Sequence, residues 1–188
     1  DLLSHNREKI KELASGQLKD EANAWFVGEP FKVFYDYKKE GIWQLGEEAA
    51  AAANGQEPGD IKVQDVDGNG VITTDDRIIY SQRPDVTFGF NNTFNYKGFD
   101  LSVFLYARLG QWIAYDYNTT YRINALENGG NVDYWTPENP TNAFPCPNKS
   151  KSYTQVTYYS TLKYEDGSFF KIRDITLGYT FKPELLKH

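Results

Sequence analysis

Apolar and polar residues alternate along residues 86–109, and this is the strongest pattern in the chain. After the dipeptide Lys97-Gly98 the alternation resumes, although Phe104 and Tyr106 interrupt its polar side. A period of two is typical of a strand with one apolar face, and a two-residue loop that ends in glycine is typical of a hairpin turn. The pattern therefore predicts an antiparallel hairpin of two eleven-residue strands. Its apolar positions are Val86, Phe88, Phe90, Phe94, Tyr96, Phe99, Leu101, Val103, Leu105, Ala107 and Leu109.

A third alternating stretch lies near the end of the chain, in residues 169–181. Its first apolar residues, Phe170 and Ile172, fall in the opposite phase to those that follow. A change of phase within one strand predicts a bulge or bend, here near Arg173. Pro183 then ends the pairing. The second apolar set is Ile175, Leu177, Tyr179 and Phe181.

Weaker patterns fill the rest of the chain. Residues 31–37 favour a strand, and residues 47–53 favour a short helix that ends at Asn54-Gly55. Residues 1–24 have a loose helical spacing of apolar residues, which fits a helix or a linker. Residues 110–168 make a long polar connection to the last strand. The predicted fold class is therefore all-β, with antiparallel strands and long loops.

Two kinds of protein use strands of this type. A soluble sandwich buries one face of an antiparallel sheet, so its strands alternate in the same way. A transmembrane β-barrel needs about 9–11 residues per tilted strand, with aromatic residues near the membrane surface and short turns opposite long loops. Each arm of the hairpin has eleven residues, and Tyr96 and Phe99 flank its short turn. The alternation alone leaves both interpretations open, while these details favour the barrel.

Composition excludes several classes of function. The net charge is −6 and no run of Lys or Arg occurs, so a nucleic-acid surface is not expected. The two histidines, His5 and His188, lie near the ends and Cys146 is the single cysteine. The body of the chain therefore has no Cys/His or Ser/His pair, zinc site or internal disulfide. No stretch approaches about 18 apolar residues, so no membrane-spanning helix is expected.

The sequence offers few candidates for catalysis or sugar binding. Asp75-Asp76 and Glu165-Asp166 are adjacent carboxylates, but glycoside hydrolysis needs two acids about 5–9.5 Å apart that face one sugar. Neighbours on a strand point to opposite faces, so we predict no catalytic residue and no enzyme. Aromatic residues of the long connection either stack on sugar rings or pack the connection on itself, and none is assigned to a ligand. These residues are Trp112, Tyr115, Tyr117, Tyr121, Tyr134 and Trp135.

Residues 65–76 match the spacing of an EF-hand calcium loop. Oxygen-bearing side chains stand at positions 1, 3, 5 and 12, and Gly70 stands at position 6, where the chain must turn sharply. Position 7 supplies a backbone carbonyl, and position 9 makes a direct or water-bridged contact. The pattern predicts a structural Ca²⁺ site. Its ligands would be Asp65, Asp67, Asn69, the carbonyl of Val71, Thr73 and Asp76.

The last ligand of this loop differs from that of an EF-hand, which has a bidentate Glu at position 12. Asp76 is shorter, so we expect weak binding, with a Kd of about 10⁻⁴–10⁻³ M, and a role in fixing a long loop. Alternatively, Asp67-Gly68 and Asn69-Gly70 merely make turns whose carboxylates face water.

Several motifs in a fixed order resemble one protein family. Across about residues 21–186 the chain is similar to the C-terminal part of SusC/RagA-type TonB-linked outer-membrane transporters. Because many motifs occur in one order, the resemblance is more specific than any single motif. The motifs are Trp25-Phe26-Val27-Gly28, Tyr35-Asp36-Tyr37, Gly41-Ile42-Trp43-Gln44, Pro58-Gly59-Asp60-Ile61-Lys62, the 65–76 loop, Phe88-Gly89-Phe90-Asn91-Asn92, Tyr96-Lys97-Gly98-Phe99-Asp100-Leu101 and Lys171-Ile172-Arg173-Asp174-Ile175-Thr176-Leu177-Gly178-Tyr179.

The resemblance implies a layout for the chain. Residues 1–85 would be an extracellular region with short helices and the calcium loop, and residues 86–109 a barrel hairpin with a periplasmic turn. Residues 110–168 would be a long extracellular loop, and residues 169–188 a barrel strand and the start of a periplasmic turn. The chain would be a fragment that lacks the TonB box, the plug and most of the roughly 22 strands.

The resemblance also implies a function and partners. A member of this family lies in the bacterial outer membrane with its loops facing the exterior, and its apolar strand faces contact lipid. It imports glycan oligosaccharides or peptides with a SusD-like lipoprotein, powered through TonB. The rival hypothesis is a soluble secreted β module that is stabilised by Ca²⁺ and binds carbohydrate or a protein partner.

Overall fold

The computed structural model describes residues 2–5, 7–117, 131–148 and 155–182. The chain forms two compact units, each built from separated segments. We call them the sheet unit (Asp1–Lys32, Ser81–Trp112 and Asp166–His188) and the core unit (Val33–Tyr80 and Ile113–Glu165). The two long regions predicted to be loops, within residues 1–85 and 110–168, thus both contribute to the core unit.

Strands dominate the described residues, as the predicted all-β class requires. The elements are β1 (Leu2–Ser4), β2 (Lys19–Asp20), β3 (Trp25–Phe26), β4 (Val33–Asp36), β5 (Lys39–Ile42), α1 (Glu48–Ala53), β6 (Ile61–Val63), β7 (Ile78–Ser81), β8 (Val86–Tyr96), β9 (Phe99–Leu109), β10 (Trp112–Ala114), β11 (Tyr164–Asp166) and β12 (Phe169–Tyr179). Short 3₁₀ turns occur at Ala14–Gly16, Thr74–Asp76 and Tyr159–Lys163. The largest sheet has four strands in the order β1-β8-β9-β12, and four two-stranded sheets pair β2-β3, β4-β7, β5-β6 and β10-β11.

The predicted hairpin is present with the predicted bounds. Strands β8 and β9 pair antiparallel without a register shift, from Val86 opposite Leu109 to Tyr96 opposite Phe99. Both turn residues have positive φ, 46° at Lys97 and 90° at Gly98, which is the conformation that a two-residue hairpin turn requires. Glycine meets that demand without strain.

The predicted bulge is also present. Strand β12 pairs antiparallel with β9, and the register shifts between Ile172 and Asp174. Arg173 is the extra residue, so the phase of β12 changes at that point. As a result Ile172 lies opposite Leu105 and Ile175 lies opposite Val103, and the two apolar phases of β12 share one face. The bulge turns a broken pattern into a continuous apolar surface.

This apolar face of β8, β9 and β12 is widely exposed. Leu177 and Tyr96 are each 69% exposed, and Ile175 is 60% exposed. A soluble sandwich would bury such side chains under a second layer. Their exposure therefore argues against the soluble interpretation. The other side chains of this face that are at least 40% exposed are Phe94, Phe99, Leu109, Phe170, Ile172 and Tyr179.

The core unit contains the main cluster of buried apolar side chains. Gln56 is also buried and satisfies buried polar groups, since it accepts a hydrogen bond from Trp43 Nε1 at 2.9 Å and donates one to the carbonyl of Ile61 at 2.9 Å. The cluster comprises Ile42, Ile61, Val63, Trp135, Val156, Tyr159 and Leu162.

The structure differs from the sequence-based predictions for residues 1–24 and for the strand at residues 31–37. Residues 1–24 form no α-helix in their described part, and instead contain β1 and β2. Leu3 of β1 lies opposite Phe88 at the edge of the sheet, and such pairing outweighs a loose helical spacing. The helix predicted over residues 47–53 is confirmed as α1, and the strand predicted over residues 31–37 is shorter, as β4.

No helix among the described residues has the length and hydropathy needed to cross a membrane.

Candidate functional site

Three of the predicted metal ligands converge in the 65–76 loop. One carboxylate oxygen from each of Asp65, Asp67 and Asp76 lies within 4.8 Å of the others. Their environments differ, since Asp76 has no exposed surface, Asp65 is half-buried and Asp67 is exposed. The loop therefore places a cluster of three carboxylates between the surface and the interior of the core unit.

Asp65 shapes the first half of the loop. Its two carboxylate oxygens accept the backbone N–H groups of Gly68 and Gly70, both at 2.7 Å. Both glycines have positive φ, 73° and 85°, so the chain curls back around the Asp65 side chain at a conformation that glycine adopts without strain. The predicted role of Gly70 as the turning residue agrees with this geometry.

Asp76 closes the second half of the loop. Its oxygens accept the backbone N–H groups of Val66 at 2.8 Å and Thr73 at 2.7 Å. Thr73 completes a capping box by accepting the N–H of Asp75 at 3.2 Å. The hydrogen bond from the Thr73 N–H lowers the pKa of Asp76 below its ordinary value, although burial acts in the opposite direction. The carboxylate is thus held in its charged form.

The remaining predicted ligands lie beside this cluster. The amide nitrogen of Asn69 donates to Asp67 at 2.8 Å, and its oxygen accepts the N–H of Val71 at 2.7 Å. The side chain of Val71 is 51% exposed. Thr73 Oγ1 lies 3.4 Å from the Asp76 carboxylate. The structure therefore brings three of the predicted ligands together as carboxylates, and Asn69 and Thr73 each contact one of those carboxylates.

Two anchors of the loop were not predicted from the sequence. Asn54, at the C-terminal cap of α1, accepts the N–H of Ile72 at 2.8 Å and donates to the carbonyl of Gly70 at 3.4 Å. Ile72 packs against the buried cluster of the core unit. The signal in the sequence is Asn54 at the predicted end of the helix, whose side chain can form hydrogen bonds with a neighbouring loop.

The donor set fits a hard cation such as Ca²⁺. Calcium binds oxygens at about 2.3–2.6 Å, so two ligands on opposite sides of it lie at most about 5.2 Å apart. The carboxylate oxygens of Asp65, Asp67 and Asp76 fall within that limit. Each carboxylate has about four lone-pair sites, so acceptance of two N–H groups leaves capacity for a metal.

The turn alternative describes only part of the loop. Asp67 accepts the N–H of Asn69, two residues on, at 3.0 Å, and its side chain is exposed as an Asx turn would place it. The fully buried Asp76 does not face water. A simple pair of solvated turns therefore does not account for the closing residue.

The aromatic residues of the long connection have different environments. Trp135 is buried in the core unit, and its Nε1 donates to Gln44 at 2.8 Å, which supports a packing role for that residue. Tyr115 and Tyr117 are exposed, with ring centroids 5.8 Å apart, and Tyr134 is 43% exposed. Trp112 is half-buried. Tyr121 lies outside the described residues.

No family model matches the chain, but curated relatives do. TonB-dependent receptor P3 of Formosa agariphila is 31% identical over 205 aligned residues, which cover 97% of this chain and 19% of that receptor. TonB-dependent receptor P26 of the same organism is 32% identical and covers 95% and 19%. This chain belongs to the TonB-dependent receptor family. SusC of Bacteroides thetaiotaomicron is 31% identical over 121 residues, with 63% of this chain and 11% of SusC covered.

Solved structures agree with this family. One described as the RagAB peptide transporter matches with a TM-score of 0.63 and 21% identity over 97% of this chain. A structure of the RagAB peptide importer in the open-open state matches with a TM-score of 0.59 and 22% identity. These likenesses show the fold, and the resemblance to the SusC/RagA type is confirmed.

The family membership bears on three other expectations. The chain spans about a fifth of the length of the first two relatives, which agrees with its interpretation as part of a longer receptor. TonB-dependent receptors are outer-membrane proteins. The matched relatives are receptors and transporters, so the prediction that the chain is not an enzyme is confirmed.

Proposed function

We propose that this chain supplies wall strands and extracellular structure to a TonB-dependent outer-membrane importer. The single observation that carries the proposal is the apolar face shared by β8, β9 and β12, which is exposed along β12 and beside the turn, with polar residues on the opposite face. Surface of this extent is uncommon on a soluble monomer. In a barrel, the apolar face contacts lipid and the polar face lines the lumen.

The dimensions of the strands support this assignment. Each of β8, β9 and β12 has 11 residues. At about 3.3 Å per residue a strand of that length crosses the apolar band of the outer membrane even when tilted. Phe99 and Tyr179 pack at 4.5 Å beside the turn, next to the exposed Tyr96. Aromatic residues at that level form the girdle expected at the membrane surface.

The proposed orientation, which follows the family resemblance, places the Lys97-Gly98 turn in the periplasm and the long loop regions within residues 1–85 and 110–168 outside the cell. The proposed transport cycle uses TonB, which acts on the N-terminal part of a receptor, and a SusD-like lipoprotein beside it. The proposed solutes are oligosaccharides or peptides. Relatives named TonB-dependent receptor and SusC, and a neighbour described as a peptide transporter, support import as the general activity.

We also propose that the 65–76 loop holds a structural Ca²⁺. Asp65, Asp67 and Asp76 would provide the charged ligands, with Asn69, the carbonyl of Val71 and Thr73 completing the sphere. The cation would neutralise three converging carboxylates and so fix the connection between α1 and β7. The convergence of the carboxylates within 4.8 Å supports this proposal.

A labelling experiment on the full-length receptor tests the wall assignment. Thr176→Cys and Leu177→Cys are adjacent on β12 and lie on opposite faces of the sheet. Each variant would carry an environment-sensitive fluorophore in outer-membrane vesicles. We expect brominated lipids to quench the label at position 177 and aqueous iodide to quench the label at position 176.

The two hypotheses predict different outcomes of this experiment. A soluble module would leave both labels insensitive to brominated lipid. That result, or a protein found only in the soluble fraction, would overturn the importer assignment.

A further inference from the structure

Three cations gather around one aromatic ring on the polar face of the main sheet. The guanidinium carbons of Arg108 and Arg173 lie 5.9 and 5.8 Å from the centroid of the Tyr106 ring, and Lys171 Nζ lies 6.0 Å from it. The three cationic side chains are exposed, and Tyr106 is half-buried. We call these four residues, with Phe104 and Phe169, the cationic patch.

Aromatic rings form the floor of the cationic patch. Phe169 lies 5.9 Å from Tyr106, and Lys171 Nζ lies 5.3 Å from Phe169. Arg173 lies 5.7 Å from Phe104. The negative faces of these rings attract the cations and hold them near the sheet. Ring faces also suit the apolar face of a sugar or a peptide side chain.

The positions of the cations are fixed by the fold. Arg108 Nε donates to the hydroxyl of Tyr106 at 2.8 Å, which orients the guanidinium and leaves its outer nitrogens to face solvent. Arg173 is the bulged residue of β12, so the insertion that realigns the apolar face also brings Arg173 toward Phe104. Bulges often aim a side chain at a functional site.

The three cations of the patch form no ion pair within the described part of the chain, and the carboxylate of Asp174, which lies opposite Phe104 on the same face, accepts a hydrogen bond from Thr176 instead and offsets part of their charge. The ion pairs described there join Lys19 to Glu21, Lys62 to Glu47 and Arg83 to Glu8. No described carboxylate forms an ion pair with any of the three patch cations. Like charges gathered on one surface repel each other, and an anion placed among them lowers that repulsion.

We infer that the cationic patch binds an oxyanion group, a carboxylate, sulfate or phosphate, carried by a solute that passes through the receptor. Guanidinium groups present paired donors that match such groups, and the ring floor adds contact area beside them. The inference rests on the proposed function, because the polar face meets a solute only if it lines the lumen. The patch lies toward the strand ends opposite the Lys97-Gly98 turn, where Phe169 pairs with Arg108.

Matched probes test the inference on the full-length receptor in detergent. The first pair is 4-methylumbelliferyl glucuronide and 4-methylumbelliferyl glucoside, which differ by one carboxylate. The second pair is acetyl-Gly-Glu-Gly-amide and acetyl-Gly-Gln-Gly-amide, which separates a peptide source of the carboxylate from a sugar source. We expect wild type to bind at least one anionic probe more tightly than its neutral partner, with an affinity that falls as salt rises.

The variant Arg108→Gln/Lys171→Gln/Arg173→Gln removes the three charges, and we expect it to lose about tenfold or more of the anionic affinity. Lys97→Gln is the matched control, because Lys97 also lies over a tyrosine, at 5.2 Å from Tyr96, but at the other end of the hairpin. It should bind as wild type does. If the triple variant does not assemble, the single variant Arg173→Gln replaces it and should also bind the anionic probes more weakly than wild type. The salt dependence of binding to wild type then provides the second test.

Three results would overturn the inference. They are equal binding of anionic and neutral probes, unchanged binding in the triple variant, and no binding of either anionic probe. The labels at positions 176 and 177 test the lumen assignment separately. If the label at position 176 faces water but the receptor does not prefer the anionic probes, this inference is rejected and the importer assignment stands.

Discussion

The carboxylate of Asp76 accepts the backbone N–H of Val66, ten residues earlier in the chain, at 2.8 Å. Its other oxygen accepts the N–H of Thr73 at 2.7 Å. One buried side chain therefore joins the beginning and the end of the 65–76 loop. The same side chain lies in the cluster of carboxylates with Asp65 and Asp67, so one residue takes part in both loop closure and the proposed Ca²⁺ site.

Calcium binding is the first prediction from this arrangement. Wild type should bind Ca²⁺ with a Kd of about 10⁻⁴–10⁻³ M, because three carboxylates converge and the closing ligand is short. The variant Asp65→Ala/Asp67→Ala should show no heat of binding in calorimetry after chelation and dialysis. Asp75→Asn is the control, since that neighbouring side chain is exposed and outside the cluster. Identical heats from wild type and the double variant would reject the site.

The second prediction concerns the pH dependence of the loop. The N–H of Thr73 lowers the pKa of Asp76 below its ordinary 3.8. A lowered pKa in the folded state contributes stability that is present above the ordinary value and lost as pH falls through the lowered value. Backbone amides of residues 65–76 should therefore lose protection in hydrogen exchange, corrected for intrinsic rates, below about pH 4.

The Asp76→Asn variant provides the comparison for that experiment. Asparagine presents an N–H₂ group to backbone donors, which should cost about 1–3 kcal/mol of local stability. The variant should also lose the acid transition of the loop. Asp133 also has a lowered pKa, caused by hydrogen bonds from Thr141 and Asn139. Because Asp133 is present in both proteins, its contribution to the acid transition cancels when wild type and the variant are compared. An acid transition of equal size in the variant would show that Asp76 is not responsible.

The third prediction addresses the anchor at the end of α1. Asn54→Ala removes the acceptor of the Ile72 N–H and the donor to the Gly70 carbonyl. We expect a loss of about 1 kcal/mol, seen as faster exchange of the Ile72 amide, and weaker Ca²⁺ binding. Asn23→Ala is the control, because Asn23 also bonds locally, to Asp20, but belongs to the sheet unit. Unchanged exchange at Ile72 would mean that the core unit holds the loop without Asn54.

The hairpin and the bulge were predictable from the sequence because both depend on local periodicity. Every second residue of residues 86–109 meets the same surroundings, so the pattern determines the strands and the turn directly. At Arg173 the phase of the apolar residues changes, and only a bulge lets both halves of β12 share a face. The acidic loop was predictable for a similar reason, since its ligands lie within twelve residues.

Other features depend on partners that are distant in the chain. The pairing of Leu3 with Phe88 spans more than eighty residues and overrides the local helical spacing. Burial of Trp135 depends on Gln44, which receives its indole hydrogen bond. The cationic patch joins β9 to β12, so Arg108 and Arg173 become neighbours of Tyr106 only through strand pairing. Local pattern does not specify such contacts.

The fourth prediction tests the function of the bulge in barrel assembly. Deletion of Arg173 leaves the apolar residues of β12 from Phe170 onward in strict alternation with polar ones, so a regular strand keeps all of them on the lipid face. Deletion of Thr176 instead makes Ile175 and Leu177 neighbours, so at least one of them must turn to the polar face and lose about 1.5–3 kcal/mol of favourable burial. We expect the Arg173 deletion to assemble in the outer membrane and the Thr176 deletion to assemble poorly.

Heat modifiability on gels, which reports a closed barrel, measures this assembly in cells that produce the full-length receptor. Arg173→Ala is a further control, because it keeps the length of β12 and the bulge while removing the charge. It should assemble as wild type does and lose only part of the anion affinity of the cationic patch. Failure of the Arg173 deletion to assemble would mean that the barrel needs the bulge itself. Normal assembly of the Thr176 deletion would mean that the alternation of β12 does not decide which side chains contact lipid.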